Sequence, residues 1–176
     1  MINHGIVTGA LFLCIGMIYD RTHSREIAHY GGTASVMPIY AGMFMLFTLA
    51  SIGLPGTNGF VGEILILLGG FTVSKVLGTL AATGVIIGAA YMLWLYQRIF
   101  FESGNDFKSR FGTEIADINA REIFTLLPLL LLVVWIGVYP STFLDFMVPT
   151  VQKLLQRVND AGIQPGVIQQ ITEVIK

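Results

Sequence analysis

Apolar residues fall in long unbroken blocks along this chain, and charged residues are almost confined to the gaps between them. The first block, Ile2 to Tyr19 (INHGIVTGALFLCIGMIY), carries no formal charge. A second runs from Ile39 to Phe71, a third from Val76 to Phe101, and a fourth from Ile123 to Tyr139. The first, third and fourth each approach the roughly 20 residues that cross a bilayer as a helix. Arg98 near the end of the third is placed to snorkel to the headgroups. Pro128 in the fourth predicts a kink.

The second block does not fit one crossing helix. Its length as a straight helix would be about 50 Å, against a hydrocarbon core of roughly 30 Å. In its middle stands LPGTNGFVGE, residues 54–63, with Pro55, three glycines and two small polar residues. The flanking halves, Ile39–Gly53 and Phe60–Phe71, would measure about 22 and 18 Å, each too short to cross alone. The pattern therefore predicts one crossing made of two half-helices joined by an unwound link at Leu54–Gly59. Irregular backbone at membrane depth persists only where protein or water covers it, so the break predicts a protein-lined or hydrated interior.

Past the fourth block, Pro140 and Pro149 punctuate the chain and a short helix is expected over Val151–Val158. In the tail GVIQQITEVIK, residues Val167, Ile168, Ile171, Val174 and Ile175 share a helical face, which reads as an interfacial amphipathic helix. Gly84 with Gly88, and Gly5 with Gly9, have the spacing of close helix contacts, a common membrane signal without chemical content.

Composition sharpens the class. The chain has 176 residues, a mean hydropathy of +0.73 and 12% charged residues, where soluble domains carry about 25%. A net charge of −1 and the lack of a Lys/Arg cluster argue against nucleic acid as a partner. Cys14 is the one cysteine, which excludes an internal disulfide, and it reads as a small buried hydrophobe. No basic region precedes the first block and no cleavage site follows it, so it does not read as a signal peptide. The abrupt start predicts a fragment of one larger domain.

The expected fold class is an all-α integral membrane protein with four spans, one discontinuous. The spans are 1–19, 39–71 (broken at 54–59), 76–101 and 123–139. Arg21, Arg25, Arg98, Lys108, Arg110 and Arg121 flank one side, against Lys75, Lys153, Arg157 and Lys176 on the other. That bias places loops 20–38 and 102–122 in the cytoplasm and the tail, 140–176, outside.

Glu63 is the first candidate for chemistry, because no other Asp, Glu, Lys or Arg lies between Ile27 and Ser74. A carboxylate at membrane depth costs several kcal/mol and is usually retained for proton exchange or cation pairing. The N-terminus of the second half-helix favours its anion while burial opposes it, the balance a relay acid needs. The alternative is a structural acid paired with a Lys or Arg elsewhere. His4 is the second candidate, able to pass protons at either nitrogen, with a satisfied, hydrogen-bonded histidine as the plainer reading. Thr57 and Asn58 at the break could anchor water or a neighbouring helix. Lys75 reads as a span-end anchor or a counter-charge, and His23 and His29 as solvated loop residues. No ligand spacing for a metal and no nucleotide-binding glycine loop is present.

Beyond single residues, MINHG, YDRTHSR (19–25), LASIGLPGTNGFVGE (49–63) and DINAREIFTLLPLLLLVVWIGVYPS (117–141) together resemble the C-terminal third of the antiporter-like membrane subunits of respiratory complex I, of the chain 4 or M type. The resemblance covers nearly the whole chain and weakens after about residue 150. Multi-subunit sodium/proton antiporters and membrane-bound hydrogenases share part of it. It implies the last four of fourteen spans in a proton-translocating subunit of NADH:quinone oxidoreductase. Glu63 would stand at the proton-channel carboxylate of the discontinuous helix (Pro55, Gly56, Thr57, Asn58, Gly59), and His4 at the intramembrane histidine before it. The family's acid and lysines of earlier helices are not in this chain.

By the same resemblance no cofactor belongs to the chain. FMN, iron–sulfur clusters and quinone would sit in other subunits. Its partners would be the lipid bilayer and membrane-arm neighbours, the antiporter-like chain 5 (L) and chain 2 (N) types. A bacterial inner membrane is the expected setting, with the mitochondrial inner membrane as the alternative. Two further readings are an antiporter subunit without redox coupling and a helix bundle that conducts nothing.

Overall fold

The structure, a computed structural model, describes residues 1–102, 107–111 and 115–160. Among these, α1 covers Ile2–Thr22, α2 Pro38–Ile52, α3 Asn58–Val73, α4 Lys75–Phe100, α5 Phe107–Phe111, α6 Ala120–Val138 and α7 Ser141–Asp160. Two 3₁₀ turns, Ile27–His29 and Thr33–Ser35, fill the loop between α1 and α2. The helices α1, α4 and α6 are long and apolar enough to cross a membrane, while α2 and α3 are shorter and apolar. Among the described residues the fold is all-helical, as expected of the membrane class, and the second apolar block is divided into α2 and α3.

Local chemistry sets the ends. Pro38 occupies the first turn of α2, where its missing N–H leaves no donor unmatched. A single residue, Ser74, separates α3 from α4, and its hydroxyl accepts from the Leu77 N–H at 3.4 Å. Asn119 and Glu122 form a capping box at the start of α6, and α6 continues through Pro128.

The helix α1 packs on α2 and α6, α2 also on α4, and α3 on both α4 and α6. Between α2 and α4 lies an aromatic cluster, with ring centroids 4.4 Å apart for Tyr96 and Phe100 and 5.2 Å for Phe44 and Phe100. Its two buried hydroxyls are matched: Tyr40 donates to the Cys14 carbonyl at 3.0 Å and Tyr96 to the Ala41 carbonyl at 3.1 Å. Cys14 itself is fully buried.

One end of the bundle is held by ionic contacts that join distant segments. Arg21 donates to both oxygens of Glu122, each at 2.7 Å, and to the carbonyls of Met17 at 2.8 Å and Ala116 at 3.1 Å. Asp117 accepts from the backbone N–H groups of Ile39 at 2.7 Å and Tyr40 at 3.0 Å, which caps α2 from outside its own sequence. Arg21→Ala leaves the Glu122 carboxylate without its counter-charge. Both side chains are 19% exposed, so the expected loss is about 2 kcal/mol, between the values of surface and buried pairs. Thermal unfolding in detergent measures it, and an unchanged midpoint would show the pair to be energetically idle.

Beyond α6 the structure differs from the sequence reading. Instead of a short helix over Val151–Val158, α7 runs for 20 residues with Pro149 inside it. Its start is fixed because the Pro140 carbonyl accepts from Phe143 at 3.0 Å and Leu144 at 2.9 Å. The amphipathic stripe of Phe143, Leu144, Met147, Val151 and Leu154 continues across the proline, so side-chain periodicity rather than proline punctuation decides the helix. The expected amphipathic tail over 167–175 lies outside the described residues, as does part of loop 102–122.

Candidate functional site

Between α2 and α3 the chain leaves the helix for Gly53 to Thr57. Gly53 has φ 84°, and the Gly53 and Leu54 N–H groups donate to Ala50 at 3.3 Å and Leu49 at 3.0 Å. This is a Schellman ending, which needs a residue in the left-handed region. Leu54-Pro55-Gly56-Thr57 then makes a turn closed by Thr57 N–H to the Leu54 carbonyl at 3.0 Å. Pro55 supplies the fixed φ of its second position and Gly56, at φ 90°, the positive φ of its third. Five residues thus interrupt the helix, with the Gly53, Leu54 and Thr57 N–H groups matched locally.

The helix resumes earlier than expected. Asn58 and Gly59, assigned to the unwound link by their residue types, are the first two residues of α3. Tertiary contacts explain the difference. The Asn58 side chain is fully buried and donates to the Asn3 carbonyl at 3.2 Å, while the Asn3 amide donates to the Asn58 carbonyl at 2.7 Å. This reciprocal pair fastens the start of α3 to the start of α1. Gly59 sits so close to α2 that a Cβ would collide with the Ala50 carbonyl oxygen. A Cβ on Gly137 of α6 would likewise collide with the backbone of Gly56 and Thr57.

Protein therefore walls the break on the α1, α2 and α6 sides. On its outer side Leu54, Pro55 and Gly56 are exposed on this chain, so the predicted protein-lined interior holds for part of the break only.

Glu63 is the sixth residue of α3 and is half-buried. Its carboxylate reaches back towards the break: a Cβ on Gly53 would collide with Glu63 Oε2 and lie 3.1 Å from the carboxyl carbon. Helical side chains lean towards the N-terminus, and the missing side chain at Gly53 leaves room for this one. Glu63 lines an open cavity of about 190 Å³ together with Asn3, His4, Ala50, Ser51 and Gly62. The two relay candidates, far apart in sequence, thus border one space. His4 is exposed, with the Thr8 hydroxyl 3.2 Å from Nδ1 and 3.3 Å from Nε2.

The other candidates stand apart. Lys75 opens α4, about 15 Å of helix beyond Glu63, too far to act as its counter-charge within this fold. His23 closes α1 with φ 50° and is exposed, while His29 is held within the loop by contacts with Glu26 at 2.8 Å and Ser24 at 2.7 Å. Sequence reasoning overlooked Asn3, although an amide next to His4 in an apolar block was a legible signal. Asn58 Oδ1 and Thr48 Oγ1 are buried without a protein partner among the described residues.

Comparison with known proteins converges. The family described as NADH:quinone oxidoreductase/Mrp antiporter, TM, matches residues 1–88. NADH-quinone oxidoreductase subunit M of Rhodobacter capsulatus is 51% identical over 156 residues, covering 89% of this chain and 30% of that protein. NADH-ubiquinone oxidoreductase chain 4 of Arabidopsis thaliana is 50% identical over 156 residues, with 89% and 31% covered. A chain in the structure of respiratory complex I from Thermus thermophilus with bound NADH superimposes at a TM-score of 0.76 and 31% identity, over 99% of this chain and 32% of that one. This chain thus spans about a third of the length of the relatives it matches. An integral membrane fold interrupted at Gly53–Thr57, matched in sequence and in structure, places the chain in the NADH:quinone oxidoreductase/Mrp antiporter transmembrane family.

Proposed function

We propose that the chain is part of a proton-translocating membrane-arm subunit of NADH:quinone oxidoreductase. In this reading electrons pass from NADH through FMN and iron–sulfur clusters to quinone in other subunits. The energy released changes hydration and proton affinity along a path of buried charges in the membrane arm. His4 relays protons into the cavity, and Glu63 is the terminal group towards the exit side.

One observation carries the proposal: His4 and a half-buried carboxylate beside an interrupted helix line the same cavity. An acid spared contact with lipid yet reachable by water is what proton exchange at membrane depth requires. The rest of the path would come from the two thirds of the relatives' length that this chain does not match.

Purification of the full-length protein from native membranes tests the assignment. Flavin and iron–sulfur subunits are expected to accompany it, and NADH with quinone is expected to acidify the lumen of reconstituted vesicles. Sodium/proton exchange without any redox partner would instead identify an antiporter assembly and overturn the reading.

A further inference from the structure

A second cavity, of about 280 Å³, lies away from Glu63 between the ends of α1, α2 and α4. Its walls are apolar: Ile15 and Ile18 from α1, Phe44 from α2, Leu95 and Ile99 from α4, and Ile27 from the loop. The Tyr40 ring contributes to the wall while its hydroxyl is spent on the Cys14 carbonyl at 3.0 Å. Polar chemistry enters at one edge, with Ser24 and Arg25.

That edge is built. The Tyr30 hydroxyl donates to the Ser24 carbonyl at 2.5 Å, the Ser24 hydroxyl is 2.7 Å from His29 Nδ1, and His29 Nε2 is 2.8 Å from Glu26. Arg25 stands three residues past the end of α1, its guanidinium 5.0 Å from the Tyr19 ring centroid. Among the described residues it makes no ion pair, whereas Glu26 is engaged by His29 and Arg98 lies 3.5 Å from Glu102. The exposed Trp94, with Arg98 4.9 Å over its ring, marks this end of α4 as interfacial.

We infer that this cavity is a binding site for an anionic glycerophospholipid, with an acyl chain between α1, α2 and α4 and the phosphate on Arg25. An apolar slot open at the end of three membrane helices suits a hydrocarbon chain. A cation at headgroup depth without an ion-pair partner among the described residues selects a negative headgroup. A zwitterionic lipid fills the slot equally well and gains less at Arg25, because its own cation offsets the phosphate. The site is independent of the proton-relay proposal, since it shares no residue with the Glu63 cavity.

The test uses the full-length protein in its complex, in nanodiscs doped with phosphatidylglycerol or phosphatidylcholine carrying a photoactivatable acyl chain. Phosphatidylglycerol is expected to label peptides containing Ile15, Phe44 or Ile99 about tenfold more than phosphatidylcholine, the worth of one charge-assisted contact. Arg25→Gln, at an exposed loop position, should abolish that preference, and Arg25→Lys should keep most of it. Ile99→Trp should reduce labelling by both lipids. Equal labelling by both lipids in the unaltered protein, or a preference that survives Arg25→Gln, overturns the assignment. So does a photo-crosslinking residue at position 99 that captures polypeptide instead of lipid.

Discussion

Replacing Glu63 by Gln in the full-length protein should stop proton pumping while leaving the complex assembled. Gln has nearly the shape of Glu and keeps an acceptor oxygen, so the half-buried position should tolerate it within about 1 kcal/mol. What it loses is the exchangeable carboxyl proton. A positioned proton-transfer group contributes about 10²–10⁴-fold, so pumping through this route should fall at least to the lower of those bounds. Proton uptake by vesicles energised with NADH reports the loss, and quinone reductase activity coupled to it should fall in parallel. Normal pumping in the Gln variant would remove Glu63 from the route. A companion substitution approaches the same carboxylate without altering it. Gly53→Ala places a methyl group where Glu63 Oε2 now lies, at φ 84°, and so displaces the acid from the break.

The largest structural effect is expected at Gly59. A Cβ there would overlap the Ala50 carbonyl oxygen and sit 3.2 Å from the carbonyl carbon. Both groups belong to helix backbones, so no side-chain rotation relieves the contact, and α3 must move away from α2. That movement would part Asn58 from Asn3 and leave buried amide groups unmatched, adding their desolvation to the overlap. Gly59→Ala should therefore destabilise by about 3 kcal/mol or more. Gly69→Ala in the same helix is the control. Nothing lies within 4 Å of a Cβ there, and alanine's helix preference of about 1 kcal/mol over glycine should make the change neutral or stabilising. The yield of monodisperse protein and its unfolding midpoint in detergent compare the two. Equal behaviour would mean that the close approach of α2 and α3 does not hold the break together.

The two variants differ in kind because the break has two parts. Its turn is local: Pro55, Gly56 and the glycine at position 53 dictate backbone angles without help from any neighbour. Its position in the bundle is not local. Gly59 and Gly137 look like any other small residues in a membrane segment, and only the approach of α2 to one and of the Gly56–Thr57 backbone to the other shows what a side chain would cost. Arg21 and Glu122 present the same contrast. Each reads as an ordinary flanking charge, yet they meet at 2.7 Å across 101 positions of sequence.

By itself, the order of residues determined the membrane class, the number of long apolar blocks, the interruption and the isolated acid within it. Hydrocarbon thickness and backbone sterics act on neighbouring residues, so these features are written in consecutive letters. The tertiary structure alone decided that the Glu63 carboxylate turns back over Gly53, that His4 borders the same cavity, and that Asn58 opens α3 rather than lying in the link. It also carried α7 through Pro149. Each of those outcomes depends on which surfaces of distant helices face one another, and spacing along one chain carries no record of that.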